Sequence, residues 1–294
     1  MFEHLQTDGE KHLIVIGGAT ATGKTAAAVR LAQQLDTEVL SADSRQFYRE
    51  MSIGTAKPTL EELGGIRHHF LDFLSVTESY NVGDYERDAL RVLDEIFRKK
   101  NAAIIVGGSG LFLRAVYAGL DEFPKISPEV KARIQAGEES GGLTWLQNEV
   151  AEHDPAHFAT MDRQNPARLR RVLEVCLESD CPYSSFLKKN TGKRPFRTHQ
   201  VLQELPRPEL YARINARVDH MVAQGLEAEA RALLPYRHLP ALRTVGYEEW
   251  FDFFDGNCTR ENVIEKIKQH SRNYAKRQAT WFRKHGDWVG GLHS

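Results

Sequence analysis

The residues best suited to chemistry form a glycine-rich run that fits the pattern G-x-x-x-x-G-K-[ST] without a mismatch. The run consists of Gly18, Ala19, Thr20, Ala21, Thr22, Gly23, Lys24 and Thr25. Glycines let backbone N–H groups converge on an anion, and the N-terminus of a following helix adds a positive dipole. In this pattern Lys24 reaches the outer phosphate oxygens and the Thr25 hydroxyl holds Mg²⁺. The run therefore predicts a bound phosphate group. It does not determine whether that phosphate belongs to a nucleotide.

The segments that flank the run are those that position such a loop. The apolar residues 13–16 predict a buried strand before it, and the alanine-rich residues 26–32 predict a helix after it. The alternative is a glycine-rich turn that fits by chance. Strand, loop and helix in this order favour the phosphate-binding interpretation.

The rest of the first third alternates between strand and helix patterns. Strands are predicted over 12–18, 38–42, 69–74 and 102–107, and helices over 25–35 and 82–100. Strands that alternate with helices indicate a parallel sheet with helical crossovers. The crevice at the carboxyl ends of these strands is where a ligand is expected to bind.

The second part of the chain is mainly helical by pattern. Residues 127–187 contain helical segments at 128–138, 144–152 and 166–177, a strand is predicted over 199–205, and later helices over 214–225, 226–234, 245–254 and 261–284. We therefore predict an α/β fold, a P-loop parallel sheet flanked by helices, with an all-helical insertion domain and a helical C-terminal region. The predicted core comprises 1–120 and 195–294, and the predicted insertion comprises 121–194.

Composition and charge narrow the class of protein. The 294 residues are 41% hydrophobic and 27% charged, without a signal-peptide pattern or a membrane-spanning run, so we expect a cytoplasmic protein without a membrane partner. Three unpaired cysteines indicate neither a disulfide framework nor a zinc site. The net charge is −1, but residues 163–197 carry nine basic and three acidic side chains, and 260–285 carry eight and two. Two basic segments in an otherwise acidic chain predict a polyanionic partner.

Two further positions at predicted strand ends carry chemistry. Asp43 follows the second predicted strand, where it is either a helix cap or a catalytic carboxylate. A glycine-rich turn around Ser109 follows the fourth strand, where an ATPase usually has a metal-holding acid, and that acid is missing here. Its absence argues against an ordinary ATP-hydrolysing enzyme. Asp43 could then act as a general base, and Ser109 could bind leaving-group oxygens.

Several blocks together resemble the bacterial tRNA dimethylallyltransferases, also called tRNA isopentenyltransferases. The blocks are the phosphate loop, residues 43–46, Met51-Ser52-Ile53-Gly54-Thr55-Ala56-Lys57-Pro58, His68-His69, residues 107–111, 165–171, 242–247 and 274–283. They cover nearly the whole chain in the family's order. The Gly-Thr-Ala-Lys-Pro and Lys-Arg-Gln-x-Thr-Trp blocks are far more specific than the phosphate loop.

The resemblance implies a reaction. Such enzymes transfer the dimethylallyl group of dimethylallyl diphosphate to N6 of the adenosine just 3′ of the anticodon of tRNA, and they release diphosphate. The loop from Gly18 to Thr25 would then grip a diphosphate. Lys24, Thr25 with Mg²⁺, Ser109 and Arg243 would stabilise the leaving group, and Asp43 would be the general base on N6. We expect a monomer that binds the tRNA anticodon stem-loop and flips the target base.

The same resemblance implies a set of tRNA-binding residues. They are Asp43, Ser44, Arg45, Gln46, Gln164, Asn165, Pro166, Ala167, Arg168, Arg171, Lys276, Arg277, Gln278 and Arg283. His68 would line the substrate tunnel. The chain departs from the family pattern at six positions. Ala19 stands where Pro is usual, Thr22 where Ser is usual, and Ser52 where Asp is usual. Ser109 stands where Thr is usual, Phe112 where Tyr is usual, and Glu248 where a basic or amide residue is usual.

Two other functions remain open at this point. A P-loop small-molecule kinase that uses ATP shares the loop and the aspartate, but it gives no reason for the basic segments. A non-catalytic RNA-binding P-loop protein explains those segments and leaves Asp43 without a role.

Overall fold

A computed structural model describes residues 9–187 and 193–291. Lys188 and Lys189, two cations of the first basic segment, lie outside the described residues. The chain divides into two compact units. One comprises Met1–Ala118 with Arg194–Ser294, and the other comprises Gly119–Lys193.

The first unit is built on one parallel sheet of six strands in the order β3-β2-β4-β1-β5-β6. The strands are β1 (His12–Gly17), β2 (Val39–Ser41), β3 (His68–His69), β4 (Ala102–Gly107), β5 (Arg197–Leu202) and β6 (Val289–Gly290). Ile16 is paired with Val106, and Val106 with Ser41, so β1, β4 and β2 end at one level. The residues that follow these three strands are thereby brought together.

The helices of the described chain connect and cover this sheet or form the second unit. They are α1 (Lys24–Gln34), α2 (Val82–Phe97), α3 (Gly110–Ala118), α4 (Pro128–His153), α5 (Pro155–Phe158), α6 (Pro166–Ser179), α7 (Arg207–Ala223), α8 (Leu226–Ala232), α9 (Glu248–Phe254) and α10 (Arg260–Lys284). Short 3₁₀ turns occur at Tyr183–Phe186, Leu234–Tyr236 and Pro240–Leu242. Across the described residues, no helix combines the length and the apolar character needed to cross a membrane.

The sequence of β1 explains why it is central. All six of its residues are buried, and neighbouring residues belong to different core clusters. Leu13 and Val15 pack into one cluster, whereas Ile14 and Ile16 pack into the other. Successive side chains of a strand point to opposite faces, so a continuous apolar run places core on both sides of the sheet. The predicted α/β fold with a parallel sheet is confirmed.

Several predicted element boundaries are wrong for local backbone reasons. The strand predicted over 69–74 is only His68–His69, because Phe70 and Asp72 adopt left-handed φ values of 64° and 53°. The helix predicted from 245 begins at Glu248, since Gly246 has a φ of 96°. The short strand β6 was not predicted at all.

The second unit has its own helical core. Ile134 and Leu146 of α4 are buried with Leu169 and Leu173 of α6. The two helices predicted over 128–138 and 144–152 form one element with a break at Gly142, whose φ is 60°. Glycine tolerates this backbone conformation, so the chain changes direction there without a separate loop.

Candidate active site

The carboxyl ends of β1, β2 and β4 open into a pocket of about 360 Å³ within the first unit. This is the place at which ligands bind in open parallel sheets. One wall follows the strands and comprises Thr20, Ala21, Gly23, Lys24, Thr25, Ala26, Ser41, Asp43, Arg45, Gln46, Val106, Gly107 and Gly108. The helical wall comprises Ile214, Arg217, Val218, Met221, Ile267, Ser271, Tyr274 and Gln278. Residues Gly54, Thr55, Ala56, Pro58, Glu62, His68, Leu71, Thr244, Val245 and Gly246 complete the lining.

The phosphate loop is held in a tight curve by contacts within the protein. Gly18 has a φ of 148°, and a Cβ there would lie 2.3 Å from the Gln203 carbonyl oxygen, so only glycine fits. Gly23 has a φ of 83° and caps the start of α1. The Thr22 hydroxyl donates to the Ala19 carbonyl oxygen at 2.9 Å, so this side chain shapes the loop from inside.

Lys24 lines the pocket as the first residue of α1. Its Nζ donates a hydrogen bond to the carbonyl oxygen of Ala19. Burial lowers the pKa of Lys24 to about 8, with Asp43 opposing and Arg217 reinforcing the shift. A bound anion would favour the charged form of this amine.

A second cation, Arg217 of α7, faces the same loop. Its Nη1 lies 3.1 Å from the hydroxyl oxygen of Thr20. Burial lowers the pKa of Arg217, while Asp43 and Glu62 act in the opposite direction. Lys24 and Arg217 together give the loop end of the pocket its positive charge.

Arg243 was predicted as a leaving-group residue, and that role stays a prediction. Arg243 is exposed and does not line the pocket. Its carbonyl oxygen is 3.5 Å from Nη2 of Arg45, and the same guanidinium donates through Nη1 to Pro240 and Ala241 at 3.1 and 3.0 Å. The turn that carries Arg243 is thus anchored by its backbone, and Arg217 is the arginine that faces the loop.

Asp43 projects into the pocket from the turn after β2. Its Oδ1 accepts the backbone N–H of Arg45 at 3.1 Å, and Oδ2 has no hydrogen bond from any residue in 9–187 or 193–291. Burial and the nearby Asp43 carboxylate raise the pKa of Tyr274 to about 12, so that phenol stays protonated. One carboxylate oxygen fixes the turn, and the other is available to a molecule bound in the pocket.

Gln278 was predicted to contact tRNA, and in the structure its side chain joins two loops of the protein. Its Oε1 accepts the Thr20 N–H at 2.9 Å, and its Nε2 donates to the Gly108 carbonyl oxygen at 3.0 Å. Only 7% of Gln278 is exposed. Both amide groups are occupied, so the residue positions the phosphate loop against the turn after β4.

A carboxylate from α8 holds the first part of the block from Met51 to Pro58. Glu229 accepts the N–H groups of Ser52, Ile53 and Gly54 at 3.1, 2.8 and 2.9 Å, and the Tyr247 hydroxyl at 2.7 Å. A Cβ at Gly54 would lie 2.6 Å from the Tyr247 ring, which explains the glycine. Ser52 replaces the usual aspartate of the block without loss of this backbone anchor.

The remaining residues predicted near the loop have supporting contacts. Gln46 donates from Nε2 to the carbonyl oxygens of Thr55 and Ala56 at 3.1 and 3.2 Å. The Ser109 hydroxyl lies 3.4 Å from the N–H of Ser44 and 3.5 Å from its hydroxyl, and Ser109 is not among the residues that line the pocket. The contact of Ser109 with a leaving group stays a prediction.

The predicted RNA-contacting side chains on α10 and α6 are largely on the surface. Lys276, Arg277 and Arg283 are exposed, and none has an ion pair within the described chain. In the second unit, Gln164, Pro166, Ala167 and Arg168 are exposed around the N-terminus of α6, which Asn165 caps by accepting the Arg168 N–H at 3.2 Å. Arg171 is partly engaged, with Glu174 at 3.2 Å and its guanidinium carbon 5.1 Å from the centre of the Phe123 ring.

Two functional positions were missed from the sequence. Arg217 and Glu229 lie in helices whose pattern predicts only which face is buried. The signal that could have identified them is a charged side chain on the inward face of an amphipathic helix. Unpaired charges are seldom buried, so such a side chain indicates a specific partner or ligand.

Comparisons with known proteins agree with this geometry. A profile described as IPP transferase matches residues 46–285. The chain belongs to the IPP transferase family. The tRNA dimethylallyltransferases of Christiangramia forsetii and Cytophaga hutchinsonii are 46% and 47% identical to it over 273 and 274 residues, in each case 93% of this chain and 90% of the relative.

Solved structures of the family have the same fold. The full-length tRNA isopentenylpyrophosphate transferase of Bacillus halodurans matches with a TM-score of 0.69 and 36% identity, over 96% of this chain and 90% of that one. A eukaryotic dimethylallyltransferase acting on tRNA matches with a TM-score of 0.80 and 26% identity, over 92% and 70%. The resemblance seen in the sequence is confirmed, and neither the kinase nor the non-catalytic alternative gains support.

Proposed function

We propose that the protein transfers the dimethylallyl group of dimethylallyl diphosphate to N6 of the adenosine 3′ of the anticodon in tRNA. The observation that carries the proposal is the pocket in which Asp43 lies beside the phosphate loop, Lys24 and Arg217. The relatives' names supply the reaction class, and the pocket supplies a base and an anion site for it.

The leaving group is handled at the loop end of the pocket. Breaking the C1–O bond sends the electron pair to the diphosphate, whose negative charge rises in the transition state. Lys24, Arg217 and the backbone N–H groups at the start of α1 face that charge and stabilise it. The Thr20 N–H bonds Gln278 instead, so it serves the loop's shape rather than the diphosphate.

The acceptor nitrogen reacts at Asp43. The N6 lone pair of adenine is conjugated with the ring, so N6 becomes a useful nucleophile only as it loses a proton. Asp43 Oδ2 accepts that proton while the N6–C1 bond forms, and Oδ1 keeps its bond to the Arg45 N–H. Tyr274 is protonated and lines the pocket with Asp43, so its hydroxyl is able to donate a hydrogen bond to the adenine that receives the prenyl group.

Mg²⁺ fits the loop on the chemistry of its donors. Thr25 lines the pocket at the N-terminus of α1, and a hydroxyl, phosphate oxygens and waters are the oxygen ligands that Mg²⁺ prefers. Thr25 would hold the ion, which when bound supplies positive charge to the diphosphate. Lys24 and Arg217 orient the same oxygens from the protein side.

The tRNA would contact the exposed basic side chains. Lys276, Arg277 and Arg283 on α10 and Arg168 on α6 are surface cations of the kind that bind phosphates. Arg45 and Gln46 would contribute to tRNA binding indirectly, because their side chains hold the pocket walls in place. We further propose a monomer, since one chain supplies the whole pocket, and a cytoplasmic location, where tRNA is found.

The direct test incubates the protein with dimethylallyl diphosphate, Mg²⁺ and unmodified tRNA. Mass spectrometry of the digested tRNA should reveal one prenylated adenosine at the position 3′ of the anticodon. Replacement of the donor by ATP should leave the tRNA unchanged. Absence of prenylated adenosine at every enzyme concentration would refute the proposal.

A further inference from the structure

The helical wall of the pocket changes from polar to apolar along its length. At the loop end, Arg217 Nη1 lies 3.1 Å from the Thr20 hydroxyl oxygen, and Gln278 Oε1 accepts the Thr20 N–H at 2.9 Å. At the other end, Met221 of α7 and Ile267 of α10 line the pocket and belong to one hydrophobic core cluster. A pocket with one polar and one apolar end suits a ligand with a charged head and a hydrocarbon tail.

Two contacts between α7 and α10 determine which of their residues lie level with one another. Arg272 Nη1 donates to Asn215 Oδ1 at 2.6 Å, and Lys268 Nζ lies 2.8 Å from Asp219 Oδ1. The residue number falls along α10 as it rises along α7, so the two helices run antiparallel with one register for both contacts.

This register places Met221 and Ile267 at the same level, away from the phosphate loop. Ile267 precedes Gln278 by eleven residues, which correspond to about 16 Å along the axis of an α-helix. Met221 follows Arg217 by four residues, so it lies one turn further along the same face of α7. The two apolar side chains therefore meet where the pocket is farthest from the loop, and we call them the floor of the pocket.

The core behind the floor is closely packed. Val263, one turn before Ile267 on α10, is 0% exposed and does not line the pocket. Leu226, which begins the helix after α7, is also 0% exposed and does not line it. A protein core resists the insertion of extra methylene groups, because they force side chains out of their preferred rotamers. A ligand that passed the floor would have to displace these side chains.

We propose that Met221 and Ile267 are specificity-determining residues that set the upper limit on the length of the donor's prenyl tail. With the diphosphate on the loop and C1 beside Asp43, the tail extends toward the floor. A five-carbon tail would fit in front of it, and a tail with a further isoprene unit would collide with it. The inference rests on the proposed function and leaves its chemistry unchanged, because the same C1–O bond breaks and the same N6–C1 bond forms.

The test compares kcat/KM for dimethylallyl diphosphate, for its homologue with one more terminal methyl group, and for geranyl diphosphate, with the same unmodified tRNA. The wild type should disfavour the methyl homologue roughly tenfold or more, the usual effect of one methylene too many in a filled apolar pocket. Met221→Ala and Ile267→Ala each shorten a floor side chain to its Cβ. Each should raise the use of the methyl homologue relative to dimethylallyl diphosphate by a similar factor. The double variant should also accept geranyl diphosphate.

Val222→Ala is the matched control, because Val222 follows Met221 on α7, is partly buried and does not line the pocket. It should retain the wild-type ratios. The dissociation constant of inorganic diphosphate, which would occupy only the loop end, should keep its wild-type value in every variant and so reports whether the pocket is folded.

Two outcomes would overturn the inference. One is a wild type that uses the methyl homologue and geranyl diphosphate as well as it uses dimethylallyl diphosphate. The other is an unchanged ratio in either alanine variant that still binds inorganic diphosphate. A wild type that uses none of the three donors would instead overturn the proposed function.

Discussion

The two walls of the pocket differ in how the sequence encodes them. The strand-end wall, with Lys24, Thr25 and Asp43, uses backbone groups and short segments that directly follow strands. The helical wall, with Arg217 and Tyr274, uses single side chains from helices that are distant in sequence. Contiguous spacing makes the first wall visible as a motif. The second wall exists only once α7 and α10 pack over the loop.

Substitutions in the strand-end wall should have the largest effect on the reaction. We expect Asp43→Asn to lower kcat roughly 10²- to 10⁴-fold, because the amide no longer accepts the N6 proton. The affinity for tRNA should change little, as the Oδ1 contact with the Arg45 N–H is retained. Single-turnover transfer and filter binding measure the two quantities.

Asp36→Asn is the control for that substitution. Asp36 lies before β2, its side chain is 87% exposed, and it pairs with Lys100. It should leave kcat unchanged. Equal activity in Asp43→Asn and the wild type would reduce Asp43 to a turn-capping residue.

Substitutions in the helical wall should have the second-largest effect on the reaction. We expect Arg217→Gln to lower kcat/KM for the prenyl donor roughly 10- to 100-fold, the usual effect of removing a charge-assisted hydrogen bond. Arg213→Gln, one turn earlier and paired with Glu209 at 2.8 Å, should have no effect. Similar kinetics for the two variants would show that the helical wall only fills space.

Gln278 tests whether the helical wall also shapes the strand-end wall. In Gln278→Leu the Thr20 N–H and the Gly108 carbonyl are both left without their partner. The free energy of unfolding should fall by about 1–3 kcal/mol, measured by urea denaturation. Asn273→Leu, at an exposed position of α10, should change it by less than about 0.5 kcal/mol. Equal stabilities would mean that the loop holds its shape unaided.

The pH dependence of donor binding follows from Lys24. Its pKa is about 8 in the free protein, and a bound diphosphate raises it, so binding takes up a proton above that pH. The dissociation constant should be flat below pH 7 and should rise toward tenfold per unit above pH 8. Isothermal titration calorimetry between pH 6.5 and 9.5, in buffers of different ionisation enthalpy, measures both the dissociation constant and the number of protons taken up. The variant Lys24→Met should bind weakly and without this slope.

The surface cations outside both walls should have the smallest effect. Lys276→Gln and Arg277→Gln each remove one cation that would bind a phosphate. Either substitution should therefore reduce the slope of log affinity for tRNA against log salt concentration by about 0.7–0.9. Lys266→Gln is the control, since Lys266 lies 3.7 Å from Asp252. Unchanged slopes in the first two variants would place the RNA elsewhere on the protein.

The sequence predicted the strand-end wall because its physics is local. Glycines, a lysine and a hydroxyl at fixed spacing determine the loop, and the apolar residues 13–16 determine the strand that presents it. It did not predict the end of β3, since left-handed residues such as Phe70 carry no strong sequence signal. Gln278 lies in a block recognised by resemblance, yet its contacts depend on the distance between α10 and two loops, which no local pattern contains.

The most direct test of the central claim follows tRNA prenylation and diphosphate release together in one single-turnover experiment. Enzyme in excess over tRNA is mixed with dimethylallyl diphosphate and Mg²⁺, and both products are quantified from the same quenched samples. Our account predicts one diphosphate released per prenyl group transferred, with the same rate constant. Release of diphosphate without modified adenosine, or modification without diphosphate release, would contradict it.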